Sequence, residues 1–473
     1  MSESTKIAWT DASWNPVVGC SRVSEGCRNC YAERFAHRWR NIGGHALGGL
    51  TREGGGWNGT VRLNKKALDL PLRWRKPKRI FVNSMSDLFH EGVPDEFIAR
   101  VWQVMGAAPE HIYQILTKRP ERMRSWVGRW YAGEIAEPYE ARPVAGYPGY
   151  SVTTHGQVLG KRADTSGGLS PDAGEQGHLR VTMHREGSPK SGERELVHRL
   201  VLAAFVRPAR AGEQACHRNG DPSDNRLSNL YWGSQETNWG DRIRHGRGRS
   251  YSKLTEEDIA AIRSRCAAGE AAYRVAKDYP VSDTQIRNVI SGRQWTMPPA
   301  AQTVRAPARV VLGSVWLGVS CENQATADER IPLLLGTPAA KRFVSYEPAL
   351  GPVEFAGAAG GNDYLGDHYD RGEDGIDWII VGGESGPNAR PCGVAWIRSV
   401  VDQCKAAGVA VFVKQLGART IIGARDARGF WFSQLDPRDH GYGDDHVLAQ
   451  FKSRAGSDPS EWPEDLRVQE FAT

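Results

Sequence analysis

The chain has 473 residues, 25% charged and 40% hydrophobic, with 61 Lys and Arg against 55 Asp and Glu for a formal charge of +6. That length leaves room for two or three domains, and with neither a charged-then-apolar leader nor an apolar run able to cross a bilayer, a cytoplasmic protein is expected. Eight cysteines, three clustered and Cys216, Cys266, Cys321, Cys392 and Cys404 scattered, exclude a disulfide framework and suit a reducing compartment.

The first feature along the chain is the loop Trp14 to Glu33, which sets Cys20, Cys27 and Cys30 in a CX6CX2C pattern. Three close thiolates with no nearby fourth are what a site-differentiated [4Fe–4S] cluster needs, because its fourth iron must stay open to a ligand. Such clusters bind S-adenosylmethionine in radical enzymes, where the cofactor carries the difficult chemistry. Tyr31, directly after the last cysteine, fits that use. A zinc site completed by His37 or His90, or a plain structural loop, are the alternatives these residues leave open. The segment resembles a phage-associated three-cysteine family of unassigned activity, regarded as radical-SAM-like, although its loop is longer than the CX3CX2C of most radical enzymes.

Arg79 to Ser84 and Ile112 to Thr117 come next as short apolar runs ending in polar residues, the pattern of buried parallel strands, with Glu96 to Met105 as a crossover helix. Residues 1–139 are therefore expected to form the first half of a partial parallel (β/α) barrel.

From 140 to 246 the pattern changes. Arg142 to Val152 and His155 to Val158 predict short strands, Gly177 to Val181 another, and Val197 to Phe205 a segment packed behind the residues around His217. His198, inside that apolar run, reads as a satisfied core histidine. Then come Cys216-His217-Arg218-Asn219-Gly220-Asp221, Asn229-Leu230-Tyr231-Trp232-Gly233 and Asn238. Phosphodiester hydrolysis needs a base for water, a divalent cation for the developing charge and a scaffold that fixes both, and His217, Asn229 and Asn238 can supply those roles. The spacing resembles the ββα-metal finger of the HNH family, in an H-N-N form found in phage homing endonucleases. That resemblance implies His217 as general base, Asn229 as brace of the loop between the strands, and Asn238 as ligand to Mg²⁺ or another divalent cation. The family often has a hard ligand before the base, where this chain has Cys216, a poor ligand for Mg²⁺; Asp221 and Asp241 are the candidate substitutes.

Residues 247–300 are expected to form a helix-turn-helix. Thr255 caps a helix with an acidic first turn, and Val281 to Arg293 resembles a recognition helix, with Ser282, Thr284, Gln285 and Asn288 as readers of base edges and Arg287 and Arg293 on phosphate. Residues 141–300 carry 23 Lys and Arg against 17 Asp and Glu, the whole formal excess of the chain. The densest basic run, Arg242, Arg244, Arg247 and Arg249, is suited to a phosphate backbone, and double-stranded DNA is the expected partner.

Strand patterns resume at Val315 to Ser320, Arg342 to Glu347, Asp377 to Glu384 and Val409 to Lys414, with helices predicted at Pro332 to Leu335 and Ala395 to Ala407, giving the second half-barrel in 301–423. Chemistry sits where barrel strands end. Asp87, Lys118, Glu322, Asn323, Glu347, Glu384, Ser385 and Lys414 would ring a pocket facing the cysteine loop, Glu347 and Glu384 being the cofactor-binding candidates. The tail from 424 to 473, rich in Asp, Arg and Gly, reads as a peripheral extension.

The expected fold class is thus α/β, a partial parallel barrel of radical-SAM-like type interrupted by an α+β HNH domain and a small helical module. An intein is the alternative host for an embedded homing nuclease, but its His-Asn dipeptide before a nucleophile is absent and no splicing block is recognisable. Two functions stay open: a homing-like HNH endonuclease acting on phage DNA in a host cytoplasm, or an Fe–S/radical-SAM enzyme whose insert is a passenger or nucleic-acid tether. A monomer is the default.

Overall fold

The computed structural model describes residues 5–160, 168–174, 176–185, 192–244, 254, 256–267, 270–290, 309, 311–357, 363–366, 375–386, 388–425, 431–432, 446–449, 451–453 and 455–472. Seven strands, β1 (Ala12–Trp14), β2 (Arg79–Val82), β3 (Ile112–Thr117), β4 (Val315–Cys321), β5 (Lys341–Tyr346), β6 (Trp378–Gly382) and β7 (Ala410–Gln415), form one sheet in chain order. Every neighbouring pair is parallel, so each strand lies beside its predecessor and the sheet curls into an open half-barrel.

The strands are β-branched and aromatic because both faces are covered; β4 and β6 are buried at every residue. Outward-facing Ile80, Ile115, Val344 and Val411 pack under the helices Asp95–Ala107, Pro120–Tyr131, Gln324–Leu335 and Val394–Ala407. The concave face is filled by Trp9, Phe81, Trp316, Phe343, Trp378 and Phe412. Gly318 in β4 leaves room for one of these rings, since a Cβ there would lie 2.6 Å from Phe343.

Three expectations need correction. β1 carries no apolar run and is not predicted from the sequence; its pairing with β2 supplies the missing edge. The helix expected from Pro332 begins at Gln324, and Asn323 is its cap rather than a pocket residue, accepting the Thr326 N–H at 3.1 Å while Thr326 Oγ1 accepts the Asn323 N–H. The end of the tail is not peripheral. Trp462 and Leu466 are buried in the main core, Val468 accepts a hydrogen bond from the Val413 N–H, and Phe471 packs on Trp378 and Phe412. A few apolar anchors in a polar segment are sufficient to dock it.

β3 and β4 are neighbours although the chain between them builds other sheets. Strands Ala141–Pro143, Ser151–Thr153 and Val158–Leu159 form one, Asp172–Ala173, Leu179–Met183 and Glu193–Leu196 a second, and Gln214–His217 with Leu230–Gly233 a two-stranded antiparallel finger. Helix Val197–Phe205 packs these on a separate core that includes Val152, Val181, Val201 and Trp232. Helices Glu256–Ala267, Ala272–Val275 and Asp283–Ile290 close on their own small core of Ile259, Ile262, Val275, Ile286 and Val289. The finger rests on the barrel helix Asp95–Ala107, with the Arg218 guanidinium donating to the Gly106 carbonyl. Where the chain leaves and returns, Arg309 donates to the carbonyls of Trp130 at 2.7 Å and Ile135 at 2.9 Å and to Glu137 at 3.2 Å. No helix among the described residues is long and apolar enough to cross a membrane.

Candidate functional site

The cysteine loop lies over the carboxyl ends of the strands. Gly19, at φ +89°, turns the chain out of the strand Val17–Val18 into Cys20; Cys27 ends a single 3₁₀ turn; Cys30 begins the helix Tyr31–Arg38. Side chains distant in the chain hold the loop down. Ser24 donates to Glu322 at 2.9 Å, Asn29 to Glu384 at 2.8 Å, and Arg390 to the Glu25 carbonyl at 2.9 Å. Gly26 is required at the closest approach, since a Cβ would sit 2.1 Å from a Glu322 oxygen.

All three cysteines border one cavity of about 280 Å³ with Tyr31, Glu347 and Glu384. Its charges are matched in pairs. Glu347 meets Lys414 at 3.0 Å, Asp87 meets Arg119 at 3.1 Å, and Glu384 meets Arg390. Burial pushes the Glu384 carboxyl up, but Arg390 and Asn29 more than offset it and hold it below the usual range. The thiols go the other way: burial, with Asp87 nearby, pushes Cys20 up to about 12 against the opposing Arg119, whose Nη1 lies 3.9 Å from the sulfur. Burial also raises Cys30. Such thiols stay protonated at neutral pH unless a metal centre takes the place of the protons. Three sulfurs line the one cavity. The histidines of the zinc alternative are engaged elsewhere, His37 with Thr51 at 3.1 Å and His90 with Ser21 at 2.8 Å and the Gly92 N–H at 3.0 Å. Tyr31 donates to the Ser84 carbonyl at 2.8 Å.

In the finger, His217 ends the first strand and is buried. Its Nε2 lies 3.1 Å from Asn225 Oδ1, and Asn225 Nδ2 donates to the Ser223 carbonyl at 3.3 Å. An amide oxygen only accepts, so Nε2 carries the proton and the Nδ1 lone pair is left to act as base or ligand. Burial holds the imidazole below its ordinary range despite the Asn225 bond, so it is neutral at pH 7. Asn229 accepts the Asn219 N–H at 3.0 Å and donates to Asn219 Oδ1 at 3.0 Å and the Asp224 carbonyl at 2.8 Å, tying the loop between the strands.

The other candidates are spread out. Asn238, half-buried on the helix Gln235–Arg244, donates to Gln214 at 2.6 Å. Asp241, buried three residues on, accepts from the Tyr231 hydroxyl. Asp221 accepts from the Ser223 N–H and hydroxyl within its own turn. Cys216 is buried on the strand face opposite His217, and burial with Asp241 nearby pushes its thiol up to about 11. In the helical module, Gln285 Oε1 accepts the Ser282 N–H at 3.0 Å and Ser282 Oγ accepts the Gln285 N–H at 3.3 Å, a reciprocal cap, so both are used in starting their helix. Thr284 is exposed and Arg287 pairs with Asp283 at 3.0 Å. The side chains of Arg242, Arg244 and Asn288, and all of Arg247, Arg249 and Arg293, lie outside the described residues.

A grouping not predicted from the sequence surrounds His217. His178 at the start of strand Leu179–Met183, His198 in helix Val197–Phe205 and His217 have ligand atoms all within 4.8 Å of one another. His198 is a core histidine but not a satisfied one, for its buried Nδ1 has no partner. No periodicity links the three positions; only the convergence of a strand, a helix and the finger brings them together.

The sheet and its cysteine-lined cavity define an α/β protein built on a parallel half-barrel. Residues 4–152 and 261–442 match the family described as "Protein of unknown function (DUF5131)", and the chain belongs to that family. The finger lies in the interval outside the match. No curated protein matches the chain. A solved structure titled "DNA binding and cleavage by the HNH homing endonuclease I-HmuI" is similar at 20% identity over 33% of this chain and 91% of that one, with a TM-score of 0.20.

Proposed function

We propose that residues 140–246 are an HNH-type DNA endonuclease domain with its helix-turn-helix in 247–300, carried inside a barrel formed by 1–139 and 301–423. The observation that carries this reading is the finger itself: a neutral His217 at the strand end with its Nδ1 lone pair free to accept a proton, Asn229 tying the loop behind it, and a following helix that bears Asn238. His217 takes the proton from the attacking water. Mg²⁺ keeps several waters and asks for one or two protein oxygens, which Asn238 and Asp241, one helical turn apart, are able to supply, with Asp221 the alternative. The ion, when bound, supplies charge stabilisation at the phosphate and leaving oxygen. Arg242, Arg244, Arg247, Arg249, Arg287 and Arg293 are assigned to phosphate, Thr284 and Asn288 to base edges, and Ser282 and Gln285 to helix capping first. The partner is double-stranded DNA, cut or nicked in a homing-like manner by a phage-encoded protein in the host cytoplasm. The test is nicking of supercoiled phage-type DNA with Mg²⁺ at low and moderate salt. Cleavage lost in His217→Ala is expected; cleavage retained by that variant removes the assignment.

The cavity favours a second activity. Cys20, Cys27 and Cys30 would hold a [4Fe–4S] cluster whose open iron binds S-adenosylmethionine, with Tyr31, Glu347 and Glu384 on the cofactor side, the insert then being a passenger or tether. Anaerobically reconstituted protein is expected to contain iron and absorb broadly in the visible; neither would dispose of this reading.

A further inference from the structure

We propose that His178, His198 and His217 form a site for a divalent transition-metal ion of the Zn²⁺ class, separate from the Mg²⁺ position on the helix Gln235–Arg244. The rings converge from three elements, with centroids 4.9 Å apart for His178 and His198, 5.4 Å for His178 and His217, and 5.1 Å for His198 and His217. A tetrahedral ion with Zn–N bonds of about 2.0–2.1 Å needs nitrogens roughly 3.4 Å apart, and the ligand atoms here all lie within 4.8 Å of one another.

Three features point to a ligand. His198 is 4% exposed and its Nδ1 has no partner, in a core otherwise built from Val181, Val201 and Leu202. A buried nitrogen in that state costs what a lost hydrogen bond costs, and a metal ion relieves it. His217 already has the outer-shell partner that ligating histidines characteristically have, since Asn225 fixes its Nε2–H and presents the Nδ1 lone pair. The donors are all imidazoles, which select zinc, copper or nickel over the oxygen-seeking Mg²⁺. Three protein ligands leave a fourth position to water.

The consequence rests on the nuclease reading. One lone pair cannot both hold a metal and accept the proton of water, so an ion at this site removes the general base. Occupancy switches the finger off, and a transition metal acts as an inhibitor where Mg²⁺ is the activator.

The test uses the full chain with Cys20, Cys27 and Cys30 changed to Ser so that thiolates do not compete, stripped with chelator and titrated with Co²⁺. One equivalent with the intense visible bands of a four-coordinate nitrogen site, displaced by Zn²⁺, is expected. His198→Leu and the milder His178→Gln should each weaken Co²⁺ binding at least 100-fold, whereas Asn238→Ala keeps it. Zn²⁺ should raise the melting temperature of the parent protein and leave both histidine variants unmoved, which separates loss of ligand from loss of fold. No Co²⁺ binding by the parent, or binding unchanged in both histidine variants, overturns the site. These readouts stand whether or not the chain cuts DNA. If it does cut, one equivalent of Zn²⁺ is expected to suppress Mg²⁺-supported nicking; full activity with the site loaded overturns the inhibitory role.

Discussion

Around the cysteine cavity the carboxylates are answered by cations: Glu322 by Lys118 and Arg330, Glu347 by Lys414, Glu384 by Arg390. Beside the finger, three imidazoles meet in an apolar core, and the buried Nδ1 of His198 has no hydrogen-bond partner. The first region fixes its loop with paired polar groups, Glu322 on Ser24 and Glu384 on Asn29. The second gives the fixing of its loop to asparagines, Asn229 between the strands and Asn225 on His217. Two sites built on separate cores in this way should be separable by mutation.

The largest expected effect tests that separation directly. Replacing Cys20, Cys27 and Cys30 together by Ala should remove all iron from the reconstituted protein while leaving Mg²⁺-dependent nicking intact; loss of both would join the two regions. His217→Ala is the reverse experiment, expected to slow nicking by about 10²–10⁴-fold, the usual worth of a general base, with iron content unchanged. Trp462→Ala, which empties a core position of the barrel that is 2% exposed, should lower barrel stability by about 3–5 kcal/mol in urea. The transition of the insert, followed by histidine resonances, should barely move; a common shift would mean that the cores unfold as one.

Gly26→Ala is expected to act more narrowly, pushing the cysteine loop off Glu322 and reducing iron retention without lowering the melting temperature by more than a few degrees. The smallest effect is in pH. Burial raises the Glu322 carboxyl, but Lys118 and Arg330 outweigh it, so its folded pKa is depressed. Its contribution is therefore complete above the ordinary glutamate range near 4.3 and is lost as pH falls through the lower folded value. Glu322→Gln should flatten the acid limb of barrel stability, read by unfolding at pH 3 to 6; an unchanged acid limb would show that this pair does not fix the loop.

Legibility in the sequence tracks the range of the interactions. Six of the seven sheet strands are readable because both faces are buried and each strand is a local apolar run. β1 is not, being three residues that owe their conformation to β2. Cys20, Cys27 and Cys30 are readable as a set through their spacing. Gly26 is not, since its role depends on Glu322, nearly 300 residues away in the chain. Asn229 declares itself within the finger, whereas the proximity of His178 and His198 to His217 exists only after three elements have packed. Asn323 misleads because a polar residue after a strand looks the same whether it faces a pocket or caps a helix.

Arg309 holds the exit and the return of the interrupting segment at one point, reaching three carbonyl or carboxylate groups between Trp130 and Glu137. The gap across which β3 and β4 are joined is thus no wider than one side chain. A gene shortened at that point needs a linker of only a few residues to give an uninterrupted barrel, and the excised stretch would leave with both ends already side by side. The same geometry makes the neck a ready place for new termini, so that the chain can be circularly permuted or made to carry a different cargo without altering the order of its sheet.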